Sequence, residues 1–227
     1  MRILKCLAAA MIAAAVALAA PAQAADLPDL RVEYLSWSIG ADGARQQLSY
    51  SERVIRQDGQ MWIEREIPEA VQRRHDTHGH ASLGHKHADV AGAPLWIRRS
   101  ADGRLDVQLV DRHERRLIQV GEPNYGNVGF GGHWNEAYHL LEPADLARLK
   151  AVGTATAGVQ RYELKRDRQT LRVVWDSGGQ YAREIVSEDS QGLGGRTIRA
   201  TTIAAPQPLP WATLKDYAAR DYSDLLD

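Results

Sequence analysis

Three Asp-Gly pairs, Asp42-Gly43, Asp58-Gly59 and Asp102-Gly103, each stand between runs of alternating apolar and polar residues. Both residues tolerate positive φ, so each pair closes a tight hairpin whose twist suits its flanking strands. Strands are expected near 30–39, 46–56, 60–66, 95–100, 104–110 and 115–120, and again near 160–165, 170–176, 181–188 and 196–204. Leu105, Val107 and Leu109 share one side against Asp106, Gln108 and Val110. Leu171, Val173 and Trp175 repeat the pattern against Arg172, Val174 and Asp176. One buried face and one largely wet face is what an antiparallel sheet permits.

Helix signals are few. The segment 143–150 carries Pro143 and Asp145 in its first turn and Lys150 in its last, which suits a helix dipole. A second helix is expected from Pro210, with Trp211, Leu214, Ala218, Tyr222 and Leu225 on one face packed against the sheet. Neither alternates with strands in βαβ fashion, which disfavours a parallel Rossmann-like sheet. The expected fold is mainly β (α+β): a single curved antiparallel sheet or half-barrel of about ten strands with two or three short helices.

The first residues read as a cleaved secretory leader. Arg2 and Lys5 give a positive start, Cys6 to Ala20 form an uncharged run of 15 residues, and Ala22-Gln23-Ala24 is an A-x-A cleavage site. The run is shorter than the ~18–20 residues a spanning helix needs, and no later stretch is long and apolar enough. Residues 1–24 are therefore expected to be removed, leaving 25–227 as one mainly antiparallel β domain in the periplasm or outside the cell. Cys6 is the only cysteine and leaves with the leader, so disulfides, thiol nucleophiles and thiolate metal ligands are excluded. Two of the 28 basic residues leave too, giving 26 against 29 acidic ones. That balance gives no field that would argue for nucleic acid.

Two segments carry most of the chemistry. Within a His-rich loop at 73–90, His75, His78, His80, His85 and His87 place five of the chain's eight histidines within 13 residues. If the segment is a hairpin closed at 81–84, His80 faces His85 and His78 faces His87 on one side. Cross-strand Cβ atoms lie ~4.5–5.5 Å apart, close enough for imidazoles to share an ion. Imidazole suits Zn, Cu and Ni. Four imidazoles with no carboxylate close a tetrahedral site, which favours storage, delivery or sensing over hydrolysis. Asp76 and Asp89 are further oxygen donors in reach. The alternatives are a solvated His-rich loop without a selective site, or a pH-responsive loop whose histidines gain charge together below pH ~6.5.

The second segment, 121–134, holds five glycines in 12 residues together with Tyr125, Phe130 and Trp134. No Gly-Lys-Ser/Thr and no G-x-G-x-x-G accompany them, so this is not a phosphate cradle. It reads either as the rim or floor of an apolar ligand pocket, with His133 and His139 as nearby polar groups, or as a loop whose aromatics plug one end of the sheet. The tryptophans at 37, 62, 96, 134, 175 and 211 are expected mostly in the core. The paired arginines at 73–74, 98–99 and 115–116 read as solvated faces or edge protection. No G-x-S-x-G elbow, H-E-x-x-H or Walker motif is present, and Glu64 and Glu66 read as surface carboxylates. Nothing supports catalysis, and no catalytic residue is named.

The stretch Val54-Ile-Arg-Gln-Asp58-Gly59-Gln-Met-Trp62, then Val173-Val-Trp175-Asp running into Tyr181-Ala-Arg-Glu-Ile185 and Gly192, resembles the periplasmic lipoprotein-carrier superfamily typified by LolA and LolB. The resemblance implies a curved antiparallel half-barrel wrapped around an apolar cavity under short helices, and a role in holding acyl chains. The insertion between Glu66 and Leu95 stands outside that pattern. Three functions follow. The first is a non-catalytic binding module for a transition metal at the histidine loop. The second is a half-barrel carrier of an acyl chain, lipoprotein or other apolar ligand. The third is an accessory protein that docks on an extracytoplasmic enzyme.

Overall fold

The computed structural model describes residues 27–71 and 92–225. The leader at 1–24 and the histidines at 75, 78, 80, 85 and 87 lie outside the described residues. Among the described residues, twelve strands form one open sheet. They are β1 (Asp29–Ile39), β2 (Arg45–Gln57), β3 (Gln60–Arg65), β4 (Leu95–Arg99), β5 (Leu105–Asp111) and β6 (Arg116–Val120), then β7 (Lys150–Thr156), β8 (Val159–Arg166), β9 (Gln169–Asp176), β10 (Tyr181–Asp189), β11 (Gly194–Ile203) and β12 (Ala218–Asp221). Their order across the sheet is β12-β6-β5-β4-β3-β2-β1-β11-β10-β9-β8-β7. Two meanders, β2 to β6 and β7 to β11, thus meet on β1. Gly59 and Gly103 sit at φ 67° and 85°, the backbone that the Asp-Gly hairpin turns demand.

The strands alternate, so the sheet has two distinct faces. On the inner face, rows of apolar residues run straight across it: Ile118, Leu109, Leu95, Ile63, Val54 and Leu30 are successive register partners. They belong to one large core that also takes in Val173 and Ile198 from the other meander. The sheet therefore curves around a single interior. The outer face carries a smaller core of Ile55, Trp62, Val110 and Leu214, flanked by Trp96, Trp211 and Tyr217.

Between β6 and β7 the chain crosses the inner face. A 3-10 segment (Glu122–Val128), the α-helix α1 (Trp134–His139) and a second 3-10 segment (Pro143–Arg148) make that crossing. Phe130, Tyr138 and Leu140 from it are buried in the large core.

The strand count exceeds the ten expected. The addition that alternation could not reveal is β7, whose seven residues are all exposed. The helix expected over 143–150 is a short 3-10 segment, and Lys150 already belongs to β7. The helix expected from Pro210 does not form. Pro210–Thr213 is a 3-10 turn, Ala218–Asp221 is β12 running parallel to β6, and Tyr222–Leu225 is another 3-10 turn. The helical spacing was misleading because Leu214 enters the outer core and Tyr222 the inner one. No single helix face reaches both. Among the described residues, no helix is long and apolar enough to cross a membrane.

Candidate ligand-binding cavity

The inner face changes character along the strands. The row through Ile63 is apolar, and that through Met61 is apolar except for Arg56. One step on, Arg65 faces Glu52, and Glu52 faces Val32. A further step brings Tyr50 opposite Tyr34, with Ile198 and Ile185 continuing the row. Beyond these, Arg196 stands opposite Ser36 and Ser187. Alternation puts all of these side chains on the inner face.

Between this wall and the crossing segment lies a cavity of about 800 Å³. Its apolar lining comes from Val54, Ile63 and Leu95 on one meander and Ile185 and Ile198 on the other, closed above by Phe130, Ala137, Leu140 and Leu141. Ile67, Gly92 and Ala93 also line it.

The polar end is a stack. The Tyr34 and Tyr50 rings lie 4.7 Å apart, inclined by 21°. The Arg65 guanidinium sits 3.9 Å from the Tyr50 ring centre, and that of Arg196 sits 5.9 Å from the Tyr34 ring. Glu52 lies 3.4 Å from Arg65. Burial raises the Glu52 carboxyl above the usual carboxylate range, and the opposing pull of Arg65 and Tyr34 does not cancel it. Burial also raises the Tyr34 phenol, with the Glu52 charge adding to the effect.

The roof is anchored by Arg56, which sits in the inner-face row opposite Met61 and is 2% exposed. Its Nε and Nη2 donate to the Pro28 carbonyl at 2.9 and 2.5 Å, and Nη2 also reaches the Gly179 carbonyl at 3.3 Å. Nη1 donates to the carbonyl of Tyr138 in α1 at 2.8 Å. The last carbonyls of a helix have no partner within it, and a cation there also suits the helix dipole. The Tyr138 hydroxyl donates to the Gln57 carbonyl at 2.9 Å, so β2 and α1 are tied twice.

The residues singled out in the Gly-rich segment divide in two. Phe130 and His133 line the cavity. Tyr125 packs behind Phe130, with ring centres 5.2 Å apart, and Trp134 stacks on Tyr138 at 4.9 Å. Both support the roof without lining it. His139 turns away and contacts the Gln180 carbonyl through Nδ1 at 2.6 Å, while burial pulls its pKa down. No tryptophan lines the cavity. Alternation alone did not distinguish Tyr34, Tyr50, Glu52, Arg65 and Arg196 from outward polar residues. The available signal was the phase: Tyr50, Glu52 and Val54 share a parity, so Glu52 had to point inward.

Glu64 and Glu66 lie on the outer face in ion pairs. Arg112 meets Glu64 at 2.5 Å and Arg31 meets Glu66 at 2.8 Å. Among the described residues, no group of three or more His, Cys, Asp or Glu side chains could hold a metal ion.

No protein-family model matches the chain, and no curated protein does. Solved structures do show a similar fold. A domain assigned as an outer membrane lipoprotein-sorting protein from Vibrio parahaemolyticus is 9% identical over 83% of this chain and 89% of its own, with a TM-score of 0.34. A LolA superfamily protein from Nitrosomonas europaea is 11% identical over 79% and 88%, with a TM-score of 0.31. A DUF1329 family protein from Desulfovibrio piger is 12% identical over 84% and 90%, with a TM-score of 0.33. At these values the site is read from its own residues alone.

Proposed function

We propose that the chain is an extracytoplasmic, non-catalytic binding protein that carries an apolar ligand, such as an acyl chain, in the cavity beneath α1. One observation carries the reading: the inner face and the roof border a half-open cavity of about 800 Å³, lined by apolar side chains from both meanders and from the roof with polar groups among them. Ligand sites commonly occupy roughly 300–1,000 Å³ and combine an apolar lining with a few placed polar groups. An accessory protein that binds no small ligand has no need of such a space. The leader read from the sequence supplies the compartment.

The test is native mass spectrometry and organic extraction of the untagged protein recovered from a periplasm, beside Ala137→Trp. Ala137 lines the cavity from α1 and is only partly buried, so an indole there fills space at little cost to the fold. A co-purifying apolar mass in the wild type that is depleted in Ala137→Trp supports the carrier. Wild-type protein that is ligand-free and takes up no added fatty acid or lysolipid removes it.

Metal binding through His75, His78, His80, His85 and His87 is a separate proposal. It rests on their sequence spacing alone.

A further inference from the structure

The polarity gradient along the inner face narrows the ligand class, and this inference rests on the carrier reading. Among the described residues, four charged side chains line the cavity: Glu52, Arg65, Glu136 and Arg196. Two of them are already answered. Glu52 and Arg65 pair with each other, and Glu52 also accepts from Tyr34. Glu136, in the first turn of α1, is exposed to solvent. Arg196 differs: among the described residues it neighbours the Tyr34 and Tyr50 rings rather than a carboxylate. Packing on a ring leaves the edge N–H groups of a guanidinium free to meet an anion. Arg196 also stands three inner-face steps beyond the row of Val54 and Ile63, so an extended chain lying on the apolar rows ends beside it.

We propose that the cavity takes a single-chain amphiphile with an anionic headgroup, its chain against Val54, Ile198 and Phe130 and its headgroup on Arg196 beside the Tyr34–Tyr50 stack. The tyrosines form the step between the two environments. Their rings continue the apolar wall, and their position next to Arg196 keeps the anion out of it.

The test compares three probes of equal chain length on the delipidated protein by isothermal titration calorimetry: dodecanoate, dodecanol and dodecyltrimethylammonium. A charge contact with the solvent-exposed Arg196 makes dodecanoate about threefold tighter than either of the others. Arg196→Gln is expected to erase that margin and leave dodecanol affinity unchanged, and Arg196→Lys to restore part of it. Equal binding of all three probes by the wild type overturns the headgroup assignment while the cavity reading stands. So does a margin that survives in Arg196→Gln, or a preference for the cation, which would shift the contact to Glu136. Failure of all three probes to bind removes the carrier reading and this inference with it.

Discussion

The guanidinium of Arg56 on β2 and the carbonyl of Tyr138 on α1 are joined at 2.8 Å across 82 residues of sequence. That bond brings a cationic donor to the C-terminal end of the roof helix where it meets the sheet. Arg56→Met keeps length and apolar stem but leaves the Pro28, Tyr138 and Gly179 carbonyls without this donor. A loss of about 3 kcal/mol is expected, read by urea unfolding. Hydrogen exchange across 134–139 should quicken in the variant. Unchanged exchange there would show that the roof is held by packing alone.

Leu214 is 4% exposed in the outer core beside Trp62. Leu214→Ala is expected to cost about 2–5 kcal/mol in the same unfolding experiment. Fatty-acid affinity should stay within about twofold, a change of under half a kcal/mol, because the outer core and the cavity lie on opposite faces of the sheet. A large change in affinity would mean that the two faces are coupled through the strands.

Glu52 gives the fold a pH signature. Its carboxyl titrates above the usual range in the folded protein because it is buried, so the folded state holds its proton more tightly than the unfolded state does. The contribution is therefore favourable below the unfolded value of about 4.3 and is lost as pH rises through the higher folded value. Glu52→Gln should be at least as stable as the wild type at pH 7. That difference should shrink as pH falls towards 4, because the wild type recovers. Parallel stability curves for the two proteins would refute the assignment.

For the histidine cluster, changing His78, His80, His85 and His87 together to Ala is expected to abolish binding of one Zn, Cu or Ni ion at micromolar concentration. Native mass spectrometry of untagged protein reads this directly. Identical metal content in both proteins would dismiss the cluster as a site.

Much of the sheet was legible in the sequence because burial on one face writes itself as alternation. Leu105, Val107 and Leu109 are inner-face residues, and Leu171, Val173 and Trp175 likewise pack into or against the large core. Where neither face is buried, as in β7, no alternation exists to be read; that strand is defined by its pairing with β8. The C-terminal segment misled for the opposite reason. Its apolar residues recur at helical intervals, yet they serve two cores on opposite faces. The cavity was partly legible. Glycines and aromatics marked the roof, but Arg196 and Glu52 resemble ordinary surface charges until the partner strands fix their row.

The position of β1 orders events in time. It is the first strand among the described residues and the seam of the sheet, where Leu30 meets Val54 on one side and Thr202 on the other. A chain that emerges from its N-terminus shows one edge of β1 covered early by β2 and the other bare until β11 arrives. Distant pairings of this kind slow folding, and an uncovered strand edge invites association with other chains. Folding of this protein thus contains a vulnerable interval, set by topology, between completion of the first meander and arrival of the second.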